Sequence, residues 1–269
     1  MAMDWAERLE RLEQQRTSVD LLIRTLGTFE AEVEGTTIKG KQWGREKTVQ
    51  LLQFLITHRS RNALRKEQII DRLWYDLTDE EGNRDFKVAL HGIHKILEPN
   101  RKARTDPRYI SREGVSYHLN EAELWLDVNE LEACVIIGNE SYASRPEIAI
   151  EAFRRALILE KGSFLPNQIY QDWTSEERER LQVIVLSAYI SLAELMMNEM
   201  PLETVRLTQK ALSIDATWED AYQLQMKAFL LRGNRPAAID TYERCVQTLD
   251  KEFGLDPLPE TQKIYDSIN

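Results

Sequence analysis

The sequence has few features of secreted, disulfide-bonded or membrane-spanning proteins. Only two of its 269 residues are cysteines, Cys134 and Cys245, which stand far apart and outside any CxxC pair. Such cysteines are typical of buried free thiols in a reducing compartment. No apolar run approaches the roughly 18 residues that cross a membrane, and the charged N-terminus has no signal-peptide core. We therefore expect a cytoplasmic protein that does not enter a membrane.

The familiar catalytic and nucleotide-binding motifs are also missing. There is no HExxH, no Gly-x-Ser-x-Gly and no dinucleotide fingerprint. Residues 35–42 have the glycine spacing of a phosphate loop, but Gln42 stands where a hydroxyl would hold magnesium. His91 and His94 lack a clear third metal ligand. We expect no enzymatic activity, no cofactor and no metal.

Charge is distributed unevenly along the chain. In total, 35 Lys and Arg stand against 45 Asp and Glu, a net charge of −10. Residues 21–120 carry 18 basic and 14 acidic residues and all four histidines, whereas residues 121–269 carry 14 and 26. This asymmetry suggests two domains with different partners. The basic excess of the first domain permits nucleic-acid binding but does not require it.

Residues 1–20 are predicted to form an N-terminal helix or linker. Trp5, Leu9 and Leu12 make a narrow apolar stripe at helical spacing. The stripe either docks on the next domain or ends a signalling helix that comes from an upstream domain.

Residues 21–120 combine strand and helix patterns. Residues 21–40 predict a small antiparallel sheet with a hairpin turn at Glu34-Gly35, and a second hairpin is predicted around Glu113-Gly114. Between the hairpins, helical spacing predicts three helices, over residues 45–57, 65–75 and 84–97. Asn83 is a suitable N-cap for the third helix, which makes residues 76–82 an acidic loop. This order of elements is typical of a winged helix.

After Trp125 the strand signals nearly stop. Helices are predicted at residues 128–138, 146–160, 174–198, 201–213, 218–231, 235–252 and 259–268. Ala188-Tyr189 recurs 33 residues later as Ala221-Tyr222, which is close to the tetratricopeptide period. The predicted fold is mostly α: a winged helix (α+β) at residues 21–120, followed by an all-α tetratricopeptide-like domain at residues 125–269.

The third predicted helix carries basic and imidazole side chains on its outward side. They are Arg84, Lys87, His91, His94 and Lys95. A helix in the major groove needs cations for phosphates and polar groups for base edges, although a solvated surface helix would show similar charges. Three further cations could reach phosphate: Arg112 at the tip of the second hairpin, and Arg45 and Lys47 at the start of the first helix, where free backbone amides also favour anions.

Several ordered motifs make the chain similar to a known family. Residues 84–99 (RDFKVALHGIHKILEP) resemble the recognition helix of OmpR-type winged helices, and residues 109–119 (YISREGVSYHL) resemble their wing. Residues 162–166 (GSFLP), Trp173 and residues 253–257 (FGLDP) resemble motifs of the bacterial transcriptional activator domain. Together they resemble the antibiotic regulatory proteins of the SARP family, over about residues 22–268.

The resemblance implies a DNA-binding activator that recruits RNA polymerase, often as a dimer. The expected partners are double-stranded DNA, RNA polymerase and a second copy of the chain, and an upstream receiver or sensor domain of two-component signalling is possible. The resemblance places Arg84 on the DNA backbone and the other four outward residues of the helix in the groove. It also implies a polymerase contact for the acidic loop of Asp76, Asp79, Glu80 and Glu81, although such loops are commonly just solvated.

Two small residues depart from the family pattern in the predicted recognition helix. Gly92 stands where relatives commonly have a large basic or polar residue, and Ala89 is also small. We interpret Gly92 as the loss of a possible base contact, and glycine also lowers helix stability by about 1 kcal/mol relative to alanine. One alternative is therefore a degenerate family member that binds proteins in signalling. A third possibility is an enzyme or a ligand-binding repeat protein. No group of candidate catalytic residues in the sequence supports it.

Overall fold

The computed structural model describes residues 4–60, 63–102 and 104–268. The chain forms two compact units, and both are discontinuous in sequence. The unit that we call the mixed unit comprises Glu10–Glu130 and Leu159–Leu181. The unit that we call the helical unit comprises the chain up to Leu9, Leu131–Ile158 and the chain from Gln182 onward.

The secondary structure follows the predicted order. The strands are β1 (Leu21–Arg24), β2 (Glu30–Val33), β3 (Thr36–Ile38), β4 (Leu64–Arg65), β5 (Ile110–Glu113), β6 (Ser116–Leu119) and β7 (Leu124–Leu126). The helices are α1 (Trp5–Ser18), α2 (Glu46–Thr57), α3 (Lys66–Leu73), α4 (Asp79–Leu97), α5 (Asp127–Ser141), α6 (Pro146–Leu159), α7 (Ser175–Met196), α8 (Pro201–Ile214), α9 (Glu219–Leu231), α10 (Arg235–Phe253) and α11 (Pro259–Asp266). Within the described ranges, none of these helices is long and apolar enough to span a membrane.

The mixed unit contains two small sheets around helices α2 to α4. The first sheet has the order β3-β2-β1-β7, and the second has the order β4-β6-β5. Glu34 and Gly35 both have positive φ angles, 47° and 76°, as the tight hairpin turn between β2 and β3 requires. Strand β7 was not predicted, and it runs parallel to β1, with Leu21 opposite Leu124. This architecture is a winged helix with an additional parallel strand.

Helix α4 begins five residues earlier than predicted. Its N-cap is Thr78, whose hydroxyl accepts from the Glu81 amide at 3.4 Å while the Glu81 carboxylate accepts from the Thr78 amide at 3.1 Å. This reciprocal pair is a capping box. Asn83, the predicted N-cap, lies inside the helix and donates its side-chain amide to the Asp79 carbonyl at 2.7 Å. The predicted acidic loop is therefore mostly the first turn of α4.

The helical unit stacks antiparallel helices as tetratricopeptide-like pairs. Helix α9 packs between α8 and α10, and α11 closes the array against α9 and α10. Met226, Ala238 and Ile268 form one buried cluster of this array. Tyr222, Cys245 and Leu249 form a second buried cluster, as expected when each helix pair buries its apolar face against its neighbour.

The two halves of α1 belong to different units. In the helical unit, Leu9 is buried, the Trp5 indole donates to the Glu140 carboxylate at 3.2 Å, and Arg155 donates to the Leu9 carbonyl at 2.9 Å. In the mixed unit, the Arg16 guanidinium lies 5.0 Å from the centre of the Trp125 ring. The predicted apolar stripe therefore docks, but Trp5 and Leu9 pack with helices of the C-terminal half and not with the domain that follows them in sequence.

Residues 159–181 complete the mixed unit. The Leu165 amide donates to the Thr25 carbonyl at 2.9 Å, and the Gly27 amide donates to the Ser163 carbonyl at 3.1 Å. A Cβ atom at Gly27 would lie 2.4 Å from the Lys161 carbonyl oxygen, so the close approach of these two segments requires glycine at this position. The segment that enters the mixed unit comes from the half of the sequence that we predicted to be a separate domain.

Candidate nucleic-acid interface

Helix α4 presents one long exposed side in the mixed unit. Its inward side buries Phe86, Ala89, Ile93 and Leu97, and the Phe86 ring packs against Tyr117 at a centroid distance of 5.0 Å. The opposite side exposes five residues, which we call the α4 face: Arg84, Lys87, Val88, His91 and Lys95. Four of the five were predicted on this side. Val88, which is 41% exposed, was not among the predicted residues.

His94, predicted on the outward side, lies mostly inside. Its side chain is 11% exposed, and its Nδ1 atom lies 3.5 Å from the Glu98 carboxylate, which is itself 8% exposed. Burial lowers the pKa of His94 below its ordinary value, although the nearby Glu98 partly opposes this shift. His94 therefore supports the C-terminal end of α4 as a neutral side chain and does not belong to the α4 face.

Ala89 points inward and the half-buried Gly92 faces α2, which corrects the interpretation of Gly92 as a lost base contact. Ala89 is 3% exposed, and a Cβ atom at Gly92 would lie 3.0 Å from Oγ1 and 3.1 Å from Cγ2 of Thr48 on α2. Glycine at this position lets α4 approach α2 closely. Neither residue removes a base contact, because neither position faces outward.

The two cations at the start of α2 have different environments. Arg45 is the exposed N-cap residue of α2. Lys47 is half-buried, donates from Nζ to the Leu73 carbonyl and lies 5.8 Å from the centre of the Trp74 ring. Lys47 therefore satisfies a free carbonyl at the C-terminal end of α3. Arg45 remains available to a phosphate, whereas Lys47 has a structural role.

The β5–β6 hairpin presents Arg112 as a wing. Arg112 is exposed, its Nε donates to the Gly114 carbonyl at 2.7 Å, and its guanidinium lies 5.9 Å from the centre of the Tyr117 ring. These contacts restrain the side chain and leave other guanidinium donors outward. Val115, next to it at the tip, is 48% exposed. The wing therefore offers a cation and an apolar side chain together.

The predicted polymerase-contact residues divide into two groups. Asp76, Asp79 and Glu80 are exposed. Glu81 is tied to Thr78 by the capping box, and hydrogen bonds from Thr78 lower the pKa of its carboxylate. Tyr75, in the same α3–α4 turn, is 82% exposed and was not predicted. The exposed surface of this turn, which we call the acidic turn, therefore consists of Tyr75, Asp76, Asp79 and Glu80.

The exposed side chains of α4 and of the wing form a candidate binding surface. Within residues 4–60, 63–102 and 104–268, no group of three or more His, Cys, Asp or Glu is placed to hold a metal ion. The α4 face and the wing instead offer separate cations on exposed, rigid elements. Such a pattern fits an extended anionic partner.

Comparison with known proteins gives a family and a fold. No curated protein matches the chain significantly. In fold, the chain is similar to Mycobacterium tuberculosis EmbR in complex with a low affinity phosphopeptide, with a TM-score of 0.79, 20% sequence identity, and coverage of 93% of this chain and 65% of that one. Residues 126–269 match the family described as bacterial transcriptional activator domain, and the chain belongs to this family of transcriptional activators.

Proposed function

We propose that the protein is a sequence-specific DNA-binding transcriptional regulator of the SARP type, whose OmpR-type winged helix places α4 in the major groove. The observation that carries the proposal is the α4 face. It aligns Arg84, Lys87, His91 and Lys95 on the exposed side of a helix whose opposite side is buried. A groove-bound helix needs such a side. The wing cation Arg112 and the exposed Arg45 extend the cationic surface to neighbouring phosphates.

The residues of the α4 face have different proposed roles. Arg84, Lys87 and Lys95 neutralise phosphates, which supplies affinity for any sequence. His91 reaches a base edge as a hydrogen-bonding group. Val88 lies among these polar residues and is suited to the methyl group of thymine, the apolar feature of the major groove. Sequence preference would then depend mainly on His91 and Val88.

A salt-dependent titration tests DNA binding. Duplex DNA selected from a random library is titrated by fluorescence anisotropy at several salt concentrations. Lys87→Ala and Lys95→Ala should each weaken binding to all sequences and reduce the salt slope by about 1, because each removes one phosphate contact. Lys210→Ala, an equal charge change at an exposed position of α8 in the helical unit, is the matched control. If all three variants bind as the parent does, the α4 face is merely solvated.

The alternative function is that of a degenerate family member that binds proteins and not DNA. The structure removes one of the two observations that favoured it. This was a basic face shortened by Gly92 and Ala89, but Ala89 points inward and Gly92 faces α2. The net charge of −10 remains in its favour. Absence of any salt-dependent binding in the titration would favour this alternative.

RNA polymerase is the proposed partner of the acidic turn. Three exposed carboxylates beside an exposed tyrosine could meet a basic polymerase surface, which would set orientation and encounter rate more than affinity. A second copy of the chain and an upstream receiver or sensor domain are further proposed partners. The chain spans 65% of the EmbR chain that it matches, so partners of the longer protein are not transferred to it.

A further inference from the structure

The segment of residues 166–173 in the mixed unit carries two protruding side chains, which we call the knob. Ile169 is 53% exposed and Tyr170 is 94% exposed, so the Tyr170 ring makes almost no contact with its own chain. Burial of this ring in a partner would be favourable. Tyrosine is also among the residues that are most enriched at the energetic centres of protein–protein interfaces.

Hydrogen bonds hold the backbone on both sides of the knob. Before it, the Leu165 amide donates to the Thr25 carbonyl at 2.9 Å. The buried Gln168 side chain donates from Nε2 to Gln53 Oε1 at 2.9 Å. After the knob, the Thr174 hydroxyl donates back to the Gln168 carbonyl at 3.1 Å. The knob is therefore held in place before any partner binds, which lowers the entropy that binding would cost.

An open cavity lies beside the knob. Its volume is about 530 Å³, and its lining includes Asn167 and Gln168, the two residues just before the knob. An apolar wall is formed by further lining residues, which are Phe29, Ile38, Trp43, Val49 and Pro166. Cavities of about 300–1,000 Å³ hold drug-sized molecules. This one is therefore large enough for a tyrosine side chain.

We propose that two copies of the chain form a dimer in which the knob of each copy enters the cavity of the other. Because the knob directly follows Asn167 and Gln168 of the lining, a two-fold axis beside this segment brings each knob to the opposite cavity. The exchange is closed and stops at two copies. No residue of the α4 face lines the cavity or belongs to the knob, and the dimer does not depend on DNA binding.

The buried area is that of a weak dimer. An aromatic side chain buries about 150–250 Å², and the wall that covers it loses a similar area. Two insertions therefore bury on the order of 800 Å² at the tyrosines, and Ile169 and the rims of the cavities add to this. Small specific interfaces bury about 1,200 Å². We therefore expect a dissociation constant on the order of 10 µM.

Charges around the knob and the cavity favour the exchange. Asp172 is exposed just after the knob, and Lys39 and Lys41 are exposed on either side of a lining residue. In the dimer, the Asp172 carboxylate of one copy approaches the two lysines of the other. These lysines outweigh the single carboxylate of Glu46 in the lining. The complementarity sets the orientation of the two copies more than their affinity.

A second cavity, of about 430 Å³, lies on the other side of the knob, where Asp172 and Trp173 line it. Its lining also contains Asp71, Arg72 and Glu176. Three of its side chains are therefore carboxylates, and a knob followed by Asp172 would bring a further negative charge to them. The first cavity, with its apolar wall, is the better site for the knob.

Sedimentation equilibrium of the full chain without DNA tests the dimer. Between about 1 and 300 µM, the mass should rise from 31.4 kDa towards twice that value. Tyr170→Ser should weaken association more than about tenfold, because it removes the central side chain of the interface. Tyr75→Ser is the matched control, since it removes an 82% exposed tyrosine from the acidic turn, and it should associate as the parent does.

A mixing experiment tests the exchange itself. Thr28→Arg changes an exposed residue of the cavity lining and should block the cavity while the circular dichroism spectrum stays unchanged. Thr28→Arg keeps the knob, and Tyr170→Ser keeps the cavity. Each variant alone should be monomeric at concentrations where the parent dimerises, whereas an equal mixture should associate more strongly than either, through one knob in one cavity.

Three results would overturn the proposal, whether or not the protein binds DNA. A parent that stays monomeric up to about 300 µM would leave the knob to a different partner. A dimer that Tyr170→Ser leaves intact, or that Tyr75→Ser weakens equally, would lie on another surface. A mixture of the two variants that associates no better than they do separately would show that the knob and the cavity do not meet.

Discussion

Gly82 and Gly92 stand where α4 comes closest to its neighbouring helices. A Cβ atom at Gly82 would lie 2.6 Å from Ile70 Cγ2 on α3, and one at Gly92 would touch Thr48 on α2. Each glycine costs a helix about 1 kcal/mol relative to alanine. The close packing of α4 against α2 and α3 offsets this cost. A larger residue at either position would push α4 away from these two helices.

Gly92→Lys should therefore destabilise the protein and weaken DNA binding. Forcing a side chain against the buried Thr48 costs about 1–3 kcal/mol, which urea denaturation measures. The matched control is Val88→Lys, which places the same side chain on the exposed α4 face. It should change stability by less than about 0.5 kcal/mol. Tighter DNA binding by a fully stable Gly92→Lys protein would show that Gly92 faces the groove after all.

His94 should make the protein sensitive to mild acid. Burial lowers its pKa in the folded state, so the unfolded state binds the proton more readily. The stability contributed by neutral His94 is complete above its ordinary pKa of about 6.5 and is lost as the pH falls through and below that value. Between about pH 7.5 and pH 5, the parent should lose more stability in urea than His94→Gln does. His91→Gln, at an exposed position, should behave like the parent.

At the scale of elements, the start of α4 is determined by the capping box and not by Asn83. Residues 76–84 contain two competing start signals, Thr78 with Glu81 and Asn83 alone. The prediction relied on Asn83, and the structure uses Thr78 with Glu81 instead. The earlier start puts three carboxylates in the first turn, where the helix dipole stabilises them.

This geometry decides how the polymerase contact should be tested. The combined variant Asp76→Asn, Asp79→Asn and Glu80→Gln removes the exposed charges and keeps Glu81 for the capping box. In a reconstituted assay it should reduce transcription, while DNA binding stays the same or tightens slightly because negative charge near phosphate is removed. Thr78→Ala should instead cost about 1 kcal/mol of stability. Unchanged transcription in the triple variant at full promoter occupancy would move the activating surface to the helical unit.

The sequence predicted the elements whose signals are local. Pro201 and Pro236 lie in the first turns of α8 and α10, and Gly254 ends α10 in the left-handed conformation, as proline and glycine favour. Strand β7 has only three residues, and its partner β1 lies about a hundred residues away in sequence, so local periodicity could not reveal it. The orientation of Gly92 towards α2 and of Ala89 towards the core was missed because small residues carry little hydrophobic signal.

At the scale of the whole molecule, the mixed unit depends on residues 159–181. Phe164 and Leu165 are almost fully buried, the Trp173 ring lies 5.4 Å from Phe54, and Arg59 and Glu177 form a buried ion pair at 2.6 Å. Removing one charged partner of a buried ion pair strongly destabilises a protein, because the other charge stays buried and unpaired. The winged helix and the activator-domain sequence are therefore structurally interdependent within this unit.

Two truncations should reveal this dependence. A fragment of residues 1–181 keeps every residue of the mixed unit, whereas a fragment of residues 1–158 lacks the segment that covers β1 and α2. The longer fragment should unfold cooperatively in urea and bind DNA. The shorter one should be much less stable or aggregate, since Leu26, Phe54 and neighbouring residues lose their cover. Equal stability of the two fragments would show that residues 159–181 are dispensable.

The contact between Gly27 and residues 161–162 limits how binding specificity can be exchanged between relatives. A Cβ atom at Gly162 would lie 3.0 Å from the Gly27 Cα, and one at Gly27 would collide with the Lys161 backbone. A chimera that joins the first 125 residues of one family member to the rest of another would mix the two sides of this contact. A hybrid of two family members should therefore take residues 10–130 and residues 159–181 from the same parent protein.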